Sequence, residues 1–122
     1  MFKIKVISDF SGAHSLRHYK GKCEALHGHN WKVEAIIASD ILDKSGMVID
    51  FSVVKAALKE LLDNLDHKHL NEIEYFKIAN PSSEEIARYV FNELKKRVNT
   101  PGAKVDSVCV FETDTSCATY SE

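Results

Sequence analysis

His27-Gly28-His29 sets two imidazoles two residues apart. In a strand, residues i and i+2 face the same way, so both rings can approach one ion; on a helix they would diverge by about 200°. Gly28 leaves the opposite side of such a strand uncrowded, and Trp31 shares the parity of the pair, where its ring can wall a site. His14 follows the opening apolar segment through Ser11-Gly12-Ala13. If the first two strands pair antiparallel around a loop at residues 15–26, His14 comes opposite His27 and His29 and completes a three-imidazole set. Three neutral imidazoles with one position open suit a catalytic zinc ion. Cys23 leaves two metal readings open: as a fourth ligand it closes a structural site, and left free beside the metal it is a base or nucleophile. A third reading has the histidines on the surface or in the core, with no metal at all.

Gly21, five residues, His27, Gly28, His29, four residues and Glu34 also resembles the first motif of cupin dioxygenases. Ile41 stands where that motif closes on glycine, no second histidine motif follows, and Glu34 has the wrong parity to face the same ion along an unbroken strand.

Asp66-His67-Lys68-His69 forms a second cluster. As the end of a helix, its basic residues complement the dipole. As chemistry, Asp66 orients His67 and makes it a proton carrier of fixed tautomer, which requires a turn, because neighbours on a strand face apart. Glu112 closes an otherwise apolar strand and reads either as a solvated terminus or as a carboxylate that accepts paired N–H bonds from a planar guanidine-like edge such as a pterin's.

These residues need elements to carry them. Phe2, Ile4 and Val6 alternate with Lys3 and Lys5, a strand over residues 2–10. Trp31 to Ala38 is a second strand, and Met47-Val48-Ile49 reads as its return, making residues 31–49 a hairpin. Asp50 and Ser52 are both N-cap candidates for a helix whose stripe is Phe51, Val54, Leu58, Leu61 and Leu65, ending near residues 64–66. Residues 67–79 read as a connection without period. Ser82 and Glu85 form a capping box for a second helix with Ile86, Val90, Leu94 and Val98 inward, stopped by Thr100-Pro101-Gly102. A last strand puts Val105, Ser107, Cys109 and Phe111 on one face and Asp106, Val108, Val110 and Glu112 on the other, and Ala118-Thr119-Tyr120 pairs as a short further strand. The fold class is α+β: an antiparallel four-stranded sheet with two helices packed on one face, whose open edges either tolerate water or pair with neighbouring subunits.

A chain of 122 residues with 2 Pro and 5 Gly describes one domain spanning residues 1–122. With 16 Lys plus Arg against 18 Asp plus Glu, the formal charge of −2 predicts no general attraction to nucleic acid or to an anionic membrane. Three scattered cysteines, no signal-peptide pattern and no long apolar run point to a reducing, cytoplasmic location.

Phe10-Ser11-Gly12-Ala13-His14, Cys23-Glu24-Ala25-Leu26-His27-Gly28-His29-Asn30, Leu65-Asp66-His67-Lys68-His69-Leu70-Asn71, Asn80-Pro81-Ser82-Ser83-Glu84 and Val110-Phe111-Glu112-Thr113 occur in this order. Together they resemble the 6-pyruvoyl-tetrahydropterin synthase family over nearly the whole chain. The three residues between Cys23 and His27 resemble the bacterial and archaeal branch that makes 6-carboxy-5,6,7,8-tetrahydropterin for queuosine. The resemblance implies conversion of 7,8-dihydroneopterin triphosphate, with loss of acetaldehyde and triphosphate. It implies Zn2+ on His14, His27 and His29, Cys23 as catalytic cysteine, Asp66 and His67 as its acid/base partners, and Glu112 as pterin anchor. It also implies the tunnelling T-fold, a homohexamer of two trimers whose sheets join into a barrel, and sites shared between subunits. Arg17, Lys20, Lys22 and Lys68 are candidates for the triphosphate. Gly12 departs from the family, whose members often carry a side chain there. The competing readings are a 6-pyruvoyl-tetrahydropterin synthase or sepiapterin-cleaving enzyme, and a zinc-stabilised assembly module without turnover.

Overall fold

A computed structural model describes residues 1–122. Two long strands, β1 (Phe2–His14) and β2 (His27–Ser39), form an antiparallel ladder in which His14 pairs with His27. Helix α1 (Phe51–Asp63) follows, then a two-residue strand β3 (Lys68–His69), a 3-10 turn (Leu70–Glu72), a short helix α2 (Glu74–Ile78) and the long helix α3 (Ser83–Val98). The chain ends in the hairpin β4 (Lys104–Thr113) and β5 (Ser116–Ser121). The sheet order is β3-β1-β2-β4-β5, antiparallel except for β3, which runs parallel to β1.

The hairpin lies earlier than the sequence suggests. Both edges of β2 are taken, by β1 and β4, so Met47-Val48-Ile49 has no strand to pair with. These residues lie in a turn region instead. Asp43 Oδ1 accepts from the Ser45 and Met47 amides at 2.8 and 3.0 Å, and Gly46 takes a left-handed φ of 78°. The ladder also reaches further at the site end than apolar alternation indicated, because its last rungs are polar residues held by backbone bonds. Residues 67–79, read as a plain connection, hold β3 and α2 and bury Leu70 and Phe76.

Even-numbered residues of β1 and odd-numbered residues of β2 face the helices, with Val6, Phe10, Trp31, Val33 and Ile37 nearly inaccessible. Helices α1 and α3 cover this one face and pack on each other. Val54, Leu58, Leu61 and Leu62 make the inward stripe of α1 and Leu65 is buried just past its C-cap Asn64, whereas Phe51, the first helical residue after the Asp50 N-cap, is 53% exposed. Ser52 is no cap: its amide and hydroxyl both donate to Asp50 Oδ1. Ser82 caps α3, accepting from the Glu85 amide at 3.2 Å, but the reciprocal half of the box is missing. Glu85 turns to the Tyr75 hydroxyl and Arg88 instead. Burial, followed by this bond to Glu85, pushes the Tyr75 phenol up to about 12.

Strand β4 does not keep one alternation. A register shift opposite Ile36 and Ile37 leaves Asp106 as an extra residue, so Val105 joins Val108 and Val110 on the buried side rather than facing with Cys109 and Phe111. No helix is long and apolar enough to cross a membrane.

Candidate metal centre and proton-relay turn

His14 ends β1, His27 begins β2, and their parities direct both rings, together with His29, toward the helix side. The ring centroids stand 4.7 Å (His14 to His27), 5.3 Å (His14 to His29) and 4.8 Å (His27 to His29) apart. Trp31 walls the group, edge-on to His14 and His29 at 5.0 and 5.2 Å, and its indole N–H donates to the Gly12 carbonyl at 3.1 Å.

The tautomers follow from the acceptors. A carbonyl only accepts, so His14 Nδ1 donates to Pro81 O at 2.7 Å and His27 Nδ1 donates to Ala25 O at 2.9 Å. In the neutral rings this leaves two bare Nε2 lone pairs facing each other at 3.2 Å. Burial, the largest influence on His14, lowers its pKa and favours that neutral form, against the Pro81 bond that favours the charged one. Two facing lone pairs repel unless a cation lies between them. Two nitrogens on a tetrahedral zinc, each about 2.0–2.1 Å from it, stand roughly 3.3–3.4 Å apart, close to the observed separation. His29 Nε2 is buried without a directed hydrogen bond. The three rings and Glu112 offer donor atoms that all lie within 4.8 Å of one another, a set capable of coordinating a metal ion.

The sequence reads Glu112 as a solvated strand terminus or as a pterin-edge carboxylate, not as a neighbour of the histidines. In the structure its Oε1 stands 2.8 Å from His29 Nε2 and 3.7 Å from His14 Nε2, and its Oε2 accepts from Ser83 Oγ at 3.3 Å. Glu112 shares the helix-side parity of Val110 across the bulged strand, which is why it meets the histidines.

Cys23 lies outside this donor set, exposed in the loop between β1 and β2. Its neighbour Glu24 pins the loop's return: the Glu24 amide donates to Leu16 O at 2.8 Å, and the Leu16 amide donates to Glu24 Oε1 at 3.3 Å. Two asparagine side chains hold the loop's start by paired hydrogen bonds to backbone, each accepting from an amide and donating to the carbonyl of the same residue: Asn71 with Ser15 and Asn80 with Arg17. One terminal nitrogen of the Arg17 guanidinium donates to the Phe76 and Ala79 carbonyls at the end of α2, at 2.7 and 3.1 Å. Lys20, Lys22 and Lys68 are exposed.

Asp66 and His67 do face each other. His67 takes a left-handed φ of 56°, a conformation that costs a non-glycine residue about 1 kcal/mol or more. Ser11 stabilises the turn from both sides: its amide donates to Asp66 Oδ1 at 2.9 Å, and its carbonyl accepts from the His67 amide. His67 Nδ1 then lies 2.9 Å from Asp66 Oδ2. The Ser11 amide first, and His67 second, hold the Asp66 carboxyl below the usual carboxylate range. The His67 ring is 82% exposed and borders a cleft of about 510 Å3 whose lining includes Ser11, Gly28, Asn30, Lys68 and the metal-donor residue His29. Ser11, Gly28 and Asn30 belong to the strand parity opposite to His14, His27 and His29, and His29 borders the same cleft as His67.

The sequence profile described as 6-pyruvoyl tetrahydropterin synthase matches residues 3–122. A Synechocystis protein named 6-carboxy-5,6,7,8-tetrahydropterin synthase is 44% identical over 116 residues, spanning 91% of this chain and 86% of its own. A Haemophilus influenzae protein of the same name is 34% identical over 144 aligned positions, covering 100% of both chains. The structure of Caenorhabditis elegans 6-pyruvoyl tetrahydropterin synthase superposes with a TM-score of 0.86 at 27% identity, over 99% of this chain and 95% of that one. The fold is accordingly a T-fold-like α+β fold. With the family profile running from residue 3 to the last residue and a metal-capable histidine set on the ladder that this fold shares, the chain belongs to the 6-pyruvoyl tetrahydropterin synthase family, with bacterial 6-carboxy-5,6,7,8-tetrahydropterin synthases among its relatives.

Proposed function

We propose that this chain is a zinc-dependent 6-carboxy-5,6,7,8-tetrahydropterin synthase of the queuosine route, converting 7,8-dihydroneopterin triphosphate with release of acetaldehyde and triphosphate. The observation that carries the metal half of this reading is the pair of Nε2 lone pairs 3.2 Å apart, each fixed by a carbonyl on the far side of its ring. The identity of the relatives at 44% and 34% supports the product.

His14, His27 and His29 would hold the ion, and a bound zinc ion would supply positive charge that favours negative charge developing on the substrate side chain. Glu112 accepts the paired N–H groups of the pterin edge and fixes the ring, so that binding energy becomes orientation. Cys23, outside the ligand set, takes up and returns a proton on one face of the side chain. His67, its Nδ1–H held by Asp66, presents Nε2 to the other face. Lys20, Lys22 and Lys68, all exposed, and Arg17 are the candidate cations for the triphosphate.

The open edges of the sheet fit a site completed between subunits. The edge of β5 and most of the outer edge of β1 are unpaired in the single chain, and a trimer that joins them closes a barrel and removes both edges. Two such trimers make a homohexamer in the cytoplasm. Incubation with 7,8-dihydroneopterin triphosphate, followed by mass identification, tests the proposal. The 6-carboxy product with acetaldehyde supports it, a 6-pyruvoyl product moves the chain to the other activity named in the family, and no product from any dihydropterin leaves a zinc-stabilised assembly module.

A further inference from the structure

Glu112 carries two demands that one carboxylate cannot meet at once. A planar guanidine-like edge needs both oxygens for its paired N–H bonds. Here Oε1 is turned to the histidines, 2.8 Å from His29 Nε2 and 3.7 Å from His14 Nε2, and Oε2 is taken by the Ser83 hydroxyl at 3.3 Å. The two distances from Oε1 bracket the roughly 3.3–3.4 Å that separates neighbouring ligand atoms on a tetrahedral zinc.

We propose that Glu112 is the fourth metal ligand of the substrate-free enzyme, and that it leaves the metal for the pterin edge when substrate enters. The inference rests on the reading of His14, His27 and His29 as a metal centre. Three features of this chain support it. Glu112 is the only carboxylate in the compact donor set, so it balances charge that the three neutral rings leave uncompensated. Ser83 opens the 16-residue helix α3, whose positive N-terminal end favours a carboxylate beside it. The same short segment gives the Pro81 carbonyl to His14 and the Ser83 hydroxyl to Glu112, so one helix start orients a ligand from β1 and a ligand from β4. Detachment would free Oε1, and rotation of the Ser83 hydroxyl would release Oε2 for the second N–H. No bond order or redox state changes: the carboxylate exchanges a metal contact for N–H contacts.

The test uses the full chain, stripped of metal and reloaded with zinc against a chromophoric chelator or with Co(II) as a spectroscopic probe. Glu112→Gln keeps the shape of the side chain and loses its charge. Its zinc affinity is expected to fall by at least the ~10–100-fold that loss of an outer partner of a metal ligand costs. The visible Co(II) spectrum of the wild type should shift when neopterin, which lacks the triphosphate, is added, whereas that of Glu112→Gln should not. Ser83→Ala retains the carboxylate but removes its hydrogen bond, and is expected to weaken zinc by a smaller factor; it decides the matter if Glu112→Gln does not fold. Wild-type zinc affinity in the variants, with Co(II) spectra identical to the wild type's, overturns the inference and leaves the metal centre intact. A wild-type chain that takes up no metal overturns the metal centre itself, and with it this proposal.

Discussion

Acidification of the metal-free protein should destabilise it through His14. Its ring is 1% exposed, donates Nδ1–H to Pro81 and faces two further imidazoles, and burial holds its pKa below the ordinary value near 6.5. In the unfolded chain the same ring takes up a proton as pH falls through about 6.5. Below that value the unfolded state binds more protons than the folded one, so stability rises with pH through this window: the contribution is complete above the unfolded value and is lost as pH falls toward the folded one. One proton sets a maximal slope of about 1.4 kcal/mol per pH unit. An unfolding entropy of about 2.1 cal/mol/K per residue over 122 residues gives roughly 0.26 kcal/mol/K, so the slope corresponds to about 5 °C in Tm per pH unit. The assay is calorimetry or urea unfolding in chelator between about pH 7 and pH 5.5, above the range where ordinary carboxylates titrate. His14→Gln, which keeps an N–H donor for Pro81 but carries no titrating ring, provides the reference. The wild type should lose stability more steeply than this variant on acidification. Parallel profiles, or a wild type that gains stability as pH falls, would refute the linkage.

Cys23→Ala should retain its metal by elemental analysis while turnover falls by about 100-fold or more, the scale of a lost proton carrier. Asp66→Asn removes the carboxylate that holds both the Ser11 amide and His67; kcat should drop by roughly 10²–10⁴ with metal content unchanged, and loss of metal instead would place the turn within the ligand shell. Leu58→Ala, at a fully buried position of α1, should cost about 2.7–5.0 kcal/mol in urea unfolding. Ser82→Ala should cost about 1 kcal/mol by the same measurement, since it strips the cap from α3, and a neutral result would mean that the Glu85 amide finds another acceptor.

The histidine set was legible because strand parity is a local property. His27 and His29 share a face on any strand, and one antiparallel pairing brings His14 opposite. The stripe from Val54 to Leu65 and the cap at Ser82 were legible for the same reason. What the sequence hid depends on contacts distant in the chain. Nothing near Pro81 announces that its carbonyl will set the tautomer of His14, and nothing near Arg17 announces that its guanidinium will donate to carbonyls at the end of α2. The assignment of Met47-Val48-Ile49 to a strand failed because apolar β-branched residues also fill a turn that packs on the core, where Val48 and Ile49 lie. The bulge at Asp106 inverts an alternation that otherwise reads cleanly, and the signal for it is the opposing strand rather than the local sequence. The approach of Glu112 to the histidines was hidden, because it requires knowing that β4 borders β2.

Zinc-edge X-ray absorption on the reconstituted enzyme tests the metal assignment most directly. The expected first shell holds only nitrogen and oxygen near ~2.0–2.1 Å, with the outer scattering of three imidazoles and no sulfur near ~2.3 Å. A sulfur shell would put Cys23 on the metal, and fewer than three imidazoles would break the set formed by His14, His27 and His29.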